Sequence, residues 1–268
     1  MPLTLPTHPV AVVPLKLWRP RWFDGVALVI GAVAPDLSYA LYGLGGTLLT
    51  HNLLALLWWS LPVTLVAVRL VRWAAPAVAA HLPGGGPLRL RDYGILGSVR
   101  HPWYVTVSSA LLGSFSHIAW DAFTHPGYVR ALQHEILPSM PWWGLLSDLS
   151  NLVGFVAGTL LFVQIGHQSL LRQWHGQPPP AVRRQPFIFW PAVAVALGGG
   201  LTLALMHPAD WGAGQAIRIM LLTALSLLCG AAATRLASRQ PTRTVPPSPS
   251  ARTGSSFASA RTDPFKAH

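Results

Sequence analysis

Charge and cysteine are what this sequence has least of. Asp, Glu, Lys and Arg make up 10% of its 268 residues, against about 25% in an ordinary soluble domain, which excludes a water-facing surface of normal polarity. A lone cysteine, Cys229, excludes an internal disulfide framework and any cysteine-rich zinc module. Several catalytic signatures are also missing. No Gly-x-Ser-x-Gly occurs, so a serine-hydrolase elbow has no support. The Pro83-Gly-Gly-Gly-Pro87 run lacks the Gly-Lys-Ser/Thr ending of a phosphate loop and reads as a linker. His134-Glu135-Ile-Leu-Pro138 has proline where the second histidine of a zinc-protease helix must stand. The N-terminus has no basic start, unbroken apolar run and small-residue cleavage site, so no removable signal peptide is expected.

What is present is apolar. Hydrophobic residues form 51% of the chain, with 12 Trp that cluster at the ends of apolar runs, as in an interfacial belt. Runs at 22–42, 49–71, 103–123, 142–165, 187–206 and 214–234 each approach the roughly 20 residues that a helix needs to cross a hydrocarbon core. A shorter apolar piece, 8–18, carries Pro9 and Pro14. The expected fold is therefore all-α: a polytopic helical membrane protein with about six spanning helices and a short N-terminal helix. Residues 1–237 form its helical domain. From Ser238 to His268 the chain is Ser, Thr, Pro and Arg with little apolar content, and a disordered basic tail is expected.

Seventeen of the 19 Lys and Arg fall into groups that six spans place on one side; only Arg130 and Arg218 fall on the other. Basic residues are retained in the cytoplasm, so both termini are expected there. The same asymmetry accounts for the net charge of +11 without a nucleic-acid partner; the partner implied is the lipid bilayer.

Ionisable residues inside such runs are costly, and each asks for a partner or a function. In Gly113-Ser-Phe-Ser-His117-Ile-Ala-Trp-Asp121-Ala-Phe-Thr-His125-Pro126, two histidines and an aspartate recur every fourth residue. On a helix each step advances about 40°, so His117, Asp121 and His125 share a face. Imidazole nitrogen and carboxylate oxygen so placed suit zinc or a similar divalent ion. The alternative is interhelical hydrogen bonding, with each group paired to a neighbouring helix. Asp36 in Ala34-Pro35-Asp36, His51 in Thr50-His51-Asn52 and Asp148 in Ser147-Asp148-Leu-Ser-Asn151 belong to the same outer layer if the topology holds. His8 joins that layer if 8–18 dips into the membrane, and is excluded from it if the segment lies flat. Asp24 and Asp210 stand where helix caps stand.

The Met1-to-Pro9 opening, Ala34-Pro35-Asp36, His51-Asn52-Leu-Leu and Ser116-His117 through His125-Pro126 are similar to a bacterial membrane family catalogued as a domain of unknown function. That family in turn resembles the inner-membrane metal-dependent hydrolases and, at greater distance, zinc-dependent phospholipase C. The resemblance covers residues 1–170, its most specific part being His-x-x-x-Asp-x-x-x-His. It implies a bacterial inner-membrane location and a metal held by His8, Asp36, His51, His117, Asp121 and His125. Asn52 stands where those relatives usually have Ser, and Asp148 where a further His is expected. On this reading the protein is a metal-dependent hydrolase acting by metal-activated water on a lipid or lipid-linked phosphoester, with Asp148 as general base. The alternative is a non-catalytic integral membrane protein, either a metal-stabilised helix bundle or an ion or proton carrier.

Overall fold

Proline and small residues decide where the helices stop and how closely they cross. The computed structural model describes residues 7–41, 48–179, 182–206 and 212–239. Eight α-helices are found among them: α1 (Thr7–Trp18), α2 (Gly25–Gly31), α3 (Leu61–His81), α4 (Trp103–Thr124), α5 (Trp142–His167), α6 (Leu170–His175), α7 (Pro186–Met206) and α8 (Ala213–Arg239).

The apolar run 22–42 is not one spanning helix. Asp24 caps α2, accepting from Ala27 N at 3.4 Å, but the helix ends after seven residues at Gly31. Pro35 disfavours helical geometry at Ala34, and the chain continues through a turn into a 3-10 segment, Pro35–Leu41. The run 49–71 also starts late. Pro62 has no N–H to give to the carbonyl four residues back, and the turn before it widens into a π-helix, Leu56–Ser60, that leads into α3.

Four helical segments among the described residues are long and apolar enough to cross a membrane: Leu56–His81, Trp142–His167, Pro186–Met206 and Gly214–Arg239. Six were expected. The 22-residue α4 has the length, about 33 Å at 1.5 Å per residue, but Ser, Thr, His and Asp occupy its buried face and lower its hydropathy. That face is packed by α1, α2, α3 and α5, while Tyr104, Phe115 and Phe123 stay exposed on the other. The outer helices differ. On α7 only Phe189 and Val193 are buried, while Phe187 is 93% exposed and Val195 77%, as suits a lipid-facing helix. α7 packs on α8, which returns to α3 and to the 35–41 segment.

The 127–141 connection holds a short antiparallel hairpin, Glu135–Leu137 with Met140–Pro141. His134 and Glu135 are exposed on it. Ser238 and Arg239 end α8; the rest of the expected tail, 240–268, and Asp210 lie outside the described residues.

Candidate metal centre

The centre is built on the crossing of α2 and α4. A Cβ at Gly31 would collide with Ala110 O, and one at Gly113 with Leu28 O, so the two backbones touch only because both positions are glycine. Small residues at such a crossing let polar groups reach the neighbouring backbone. Ser114 Oγ donates to Gly31 O at 3.0 Å, and His117 Nδ1 donates to Ala32 O at 2.7 Å. A carbonyl only accepts, so the Nδ1 hydrogen is committed and Nε2 is left to face inward.

His51 is held by a side chain instead of a backbone carbonyl. Thr50 Oγ1 donates to Pro35 O at 2.8 Å and contacts Ser38 Oγ at 2.9 Å. His51 Nδ1 meets Thr50 Oγ1 at 3.2 Å, which holds the ring with Nε2 facing inward. It lies 3.0 Å from Asp36 Oδ1 and 3.5 Å from Asp121 Oδ2. His117 Nε2 lies 3.3 Å from Asp36 Oδ1, 3.1 Å from Asp121 Oδ2 and 3.3 Å from His51 Nε2. One donor atom from each of Asp36, His51, His117 and Asp121 thus lies within 4.8 Å of every other. The side chains are buried or nearly so: 0% exposed for His117, 6% for Asp121, 13% for Asp36 and 15% for His51.

Bare imidazole nitrogens opposite carboxylate oxygens repel, so a proton or a cation must lie between them. The spacing suits a metal: ligands at about 2.0–2.2 Å in a tetrahedron stand about 3.3–3.6 Å apart, near the 3.0–3.5 Å found here. Two carboxylates and two neutral imidazoles also cancel the charge of one divalent ion, which matters where few waters reach. A further sign is Asp121 Oδ1, buried and without a hydrogen-bond partner among the described residues.

Two other expected ligands flank the four. His8, in the first turn of α1, stacks on His117 with ring centroids 3.8 Å apart, and its Nε2 lies 3.5 Å from Asp121 Oδ1. α1 therefore enters the bundle; it does not lie flat. His125 follows the last residue of α4, with Nδ1 3.3 Å from Asp121 Oδ1 and 3.1 Å from Thr124 Oγ1. Asp148 does not join the centre. It is exposed on α5, without a hydrogen bond or ion pair among the described residues, because Ser147 and Ser150 take the buried face.

Several participants had no chemical motif to announce them. Thr50 orients His51, and Ala32 orients His117 through its backbone. Ser150 Oγ accepts from Trp120 Nε1 at 2.8 Å, and the Ser150 carbonyl accepts from Thr7 Oγ1 at 2.6 Å, which ties α5 to both ligand-bearing helices. Beside them Ser147 Oγ and Asn151 Oδ1 are buried without a hydrogen-bond partner among the described residues. Tyr128, in the loop after α4, has its hydroxyl pKa raised by burial and by the charge of Asp121.

The other histidines have structural roles where they are buried. His81 donates from Nδ1 to Ala77 O, accepts at Nε2 from Gln185 N, and stacks on Phe189 at 4.2 Å. Asp24 is an ion-pair partner as well as a cap, 2.6 Å from Arg72 Nη2.

A family described as a domain of unknown function, DUF4184, matches residues 1–235. The match extends beyond the motif-bearing part, through α7 and most of α8. No curated protein and no solved structure matches the chain.

Proposed function

The chain belongs to the DUF4184 family, and from the geometry of its centre we propose that it is a membrane-embedded, metal-dependent hydrolase. The observation that carries this reading is the convergence of two inward-facing Nε2 atoms and two carboxylates on one buried point. Zinc is the first choice for such a donor set. Bound there, the ion would lower the pKa of a coordinated water and supply hydroxide near neutral pH. The chain's own groups do the rest. Ala32 O and Thr50 Oγ1 hold the His117 and His51 rings with Nε2 turned inward. The proton acceptor is assigned to the Asp36 oxygen turned from these histidines, since Asp148 stands outside the centre.

The substrate proposed is a lipid or lipid-linked phosphoester, because the centre lies among helices whose outer faces are apolar. The location proposed is the bacterial inner membrane with both termini in the cytoplasm. Support comes from the resemblance to the inner-membrane metal-dependent hydrolases and from the distribution of Lys and Arg.

A second reading has its own support: distances of 3.0–3.3 Å between the imidazoles and Asp36 or Asp121 also suit a protonated ion-pair network, as in a proton carrier. Elemental analysis of tag-free, detergent-purified protein, with hydrolysis assays on phospholipid and lipid-linked phosphate panels, separates the two. The hydrolase reading expects bound metal and turnover abolished by chelation. Protein that binds metal, shows no turnover and only loses thermal stability on chelation is a metal-stapled bundle. Protein that binds no metal at all overturns the metal centre itself.

A further inference from the structure

A second polar cluster stands at the other end of α1. Lys16 lies about 12 Å along the helix from His8, and the cluster around it shares no residue with the metal centre. The Lys16 stem lies over Gly25, where a Cβ would meet Cγ at 3.4 Å. Its ammonium donates to Pro20 O at 2.6 Å and Phe23 O at 2.8 Å, and the Trp174 ring lies 5.5 Å away. Lys16 is 4% exposed, yet it forms no ion pair among the described residues. The neighbouring carboxylate, Asp24, is taken by Arg72 Nη2 at 2.6 Å and Thr106 Oγ1 at 2.8 Å. An ammonium has three hydrogens, and the third has no acceptor among the described residues.

This ammonium lines a cavity of about 320 Å³ that opens to the surface. The wall is almost wholly apolar, with Val29, Ile30, Val71, Leu96, Ile165 and Leu171 on five different segments of the chain. His101 and His175 line it as well, their rings 6.0 Å apart. Neither imidazole makes a hydrogen bond among the described residues. Burial and the charge of Lys16 lower the pKa of both, against the pull of Asp24, so each is a neutral ring with one hydrogen to donate. An apolar cavity with a few convergent polar groups is the usual form of a small-molecule site.

We propose that this cavity binds one fatty acid, its alkyl chain along the apolar wall and its carboxylate on the Lys16 ammonium, with His101 and His175 as further donors. Size sets the chain. The volume is about twice the roughly 150 Å³ that admits benzene, which leaves room for about a dozen carbons. Charge sets the head. Lys16 and Arg72 bring two positive charges against one negative charge on Asp24, and a buried charge without a counterion is costly. One carboxylate cancels that surplus, whereas a phosphate monoester brings nearly two negative charges. The site stands whether or not the metal centre is catalytic.

The test is direct binding of radiolabelled dodecanoate to the full chain in phosphatidylcholine nanodiscs. Saturable binding of one dodecanoate per chain is expected, displaced by neither dodecanol, which keeps the chain, nor butyrate, which keeps the head. Lys16→Met preserves the stem and should weaken binding about tenfold or more, the loss of one charge-assisted hydrogen bond. Leu96→Trp, which fills the cavity, should weaken it as much. A dodecanoate with a photoreactive diazirine at the chain end should label the peptides around Val29 and Leu96 in the wild type, a result that needs no variant to fold. Equal displacement by dodecanol, or unchanged affinity in Lys16→Met, overturns the anionic head. Preference for dodecyl phosphate overturns the carboxylate. Absence of saturable binding, or label spread over the exposed face of α7, overturns the site.

Discussion

His117 Nδ1 donates to Ala32 O at 2.7 Å across the crossing of α4 and α2. The backbone of one helix therefore fixes the tautomer of a ligand on another, and this bond exists because Gly31 and Gly113 let the two backbones touch. Gly113→Ala drives a methyl group into Leu28 O and Ala32 N, at an overpacking cost of about 1–3 kcal/mol. The expected outcome is a lower melting temperature together with weaker metal binding. Unchanged metal affinity in a destabilised variant would separate the crossing from the centre.

Arg72→Ala is expected to destabilise the protein without touching metal content. Asp24 is 1% exposed; it pairs with Arg72 at 2.6 Å and accepts from Thr106 Oγ1 at 2.8 Å. Removing one partner of a buried pair costs about 3–5 kcal/mol, because the remaining charge is stranded. Asp24→Asn combined with Arg72→Met, which leaves no charge, should recover much of the loss in a thermal-denaturation series.

Lys16 gives the stability a pH dependence of known sign. Its ammonium is buried and donates to Pro20 O at 2.6 Å and Phe23 O at 2.8 Å. Burial lowers its pKa to about 8, against 10.5 for a free lysine, although Asp24 opposes the shift. Between those values the unfolded chain binds more protons than the folded one, so stability rises with pH. Melting temperatures should climb from pH 8 to 10 in the wild type and lose that component in Lys16→Met.

Asp148→Asn is expected to leave metal content, stability and hydrolysis unchanged, since the side chain is exposed on α5. Asp36→Asn should lower turnover and metal affinity together, because one oxygen faces both ligand histidines. A large loss of turnover in Asp148→Asn alone would return the proton acceptor to α5.

Orientation is open to labelling once Cys229 is replaced by Ser. A cysteine introduced beside Arg130 should react with an impermeant maleimide in intact cells, and one beside Arg89 only after permeabilisation. The reverse pattern would invert the proposed topology.

The sequence by itself determined the helical class and part of the centre. Where water is absent the backbone must satisfy its own hydrogen bonds, so long apolar runs become helices whatever their neighbours; α3, α5, α7 and α8 follow from this alone. His117 and Asp121 were legible together because four residues are close to one turn. The break in the first run had a local sign as well, in Pro35. Tertiary structure decided what spacing cannot encode. Asp36 and His51 are 15 residues apart in sequence and meet at 3.0 Å only after folding. Asp148 looked like a member of the polar layer because depth is readable from position along a run, whereas direction around α5 depends on which face packs. Ser147, Ser150, Gly154 and Gly166 are its buried positions, and Gly154 lies against Thr7 of α1. α4 has the length of a span, and its buried, polar face is the one on which the centre is assembled.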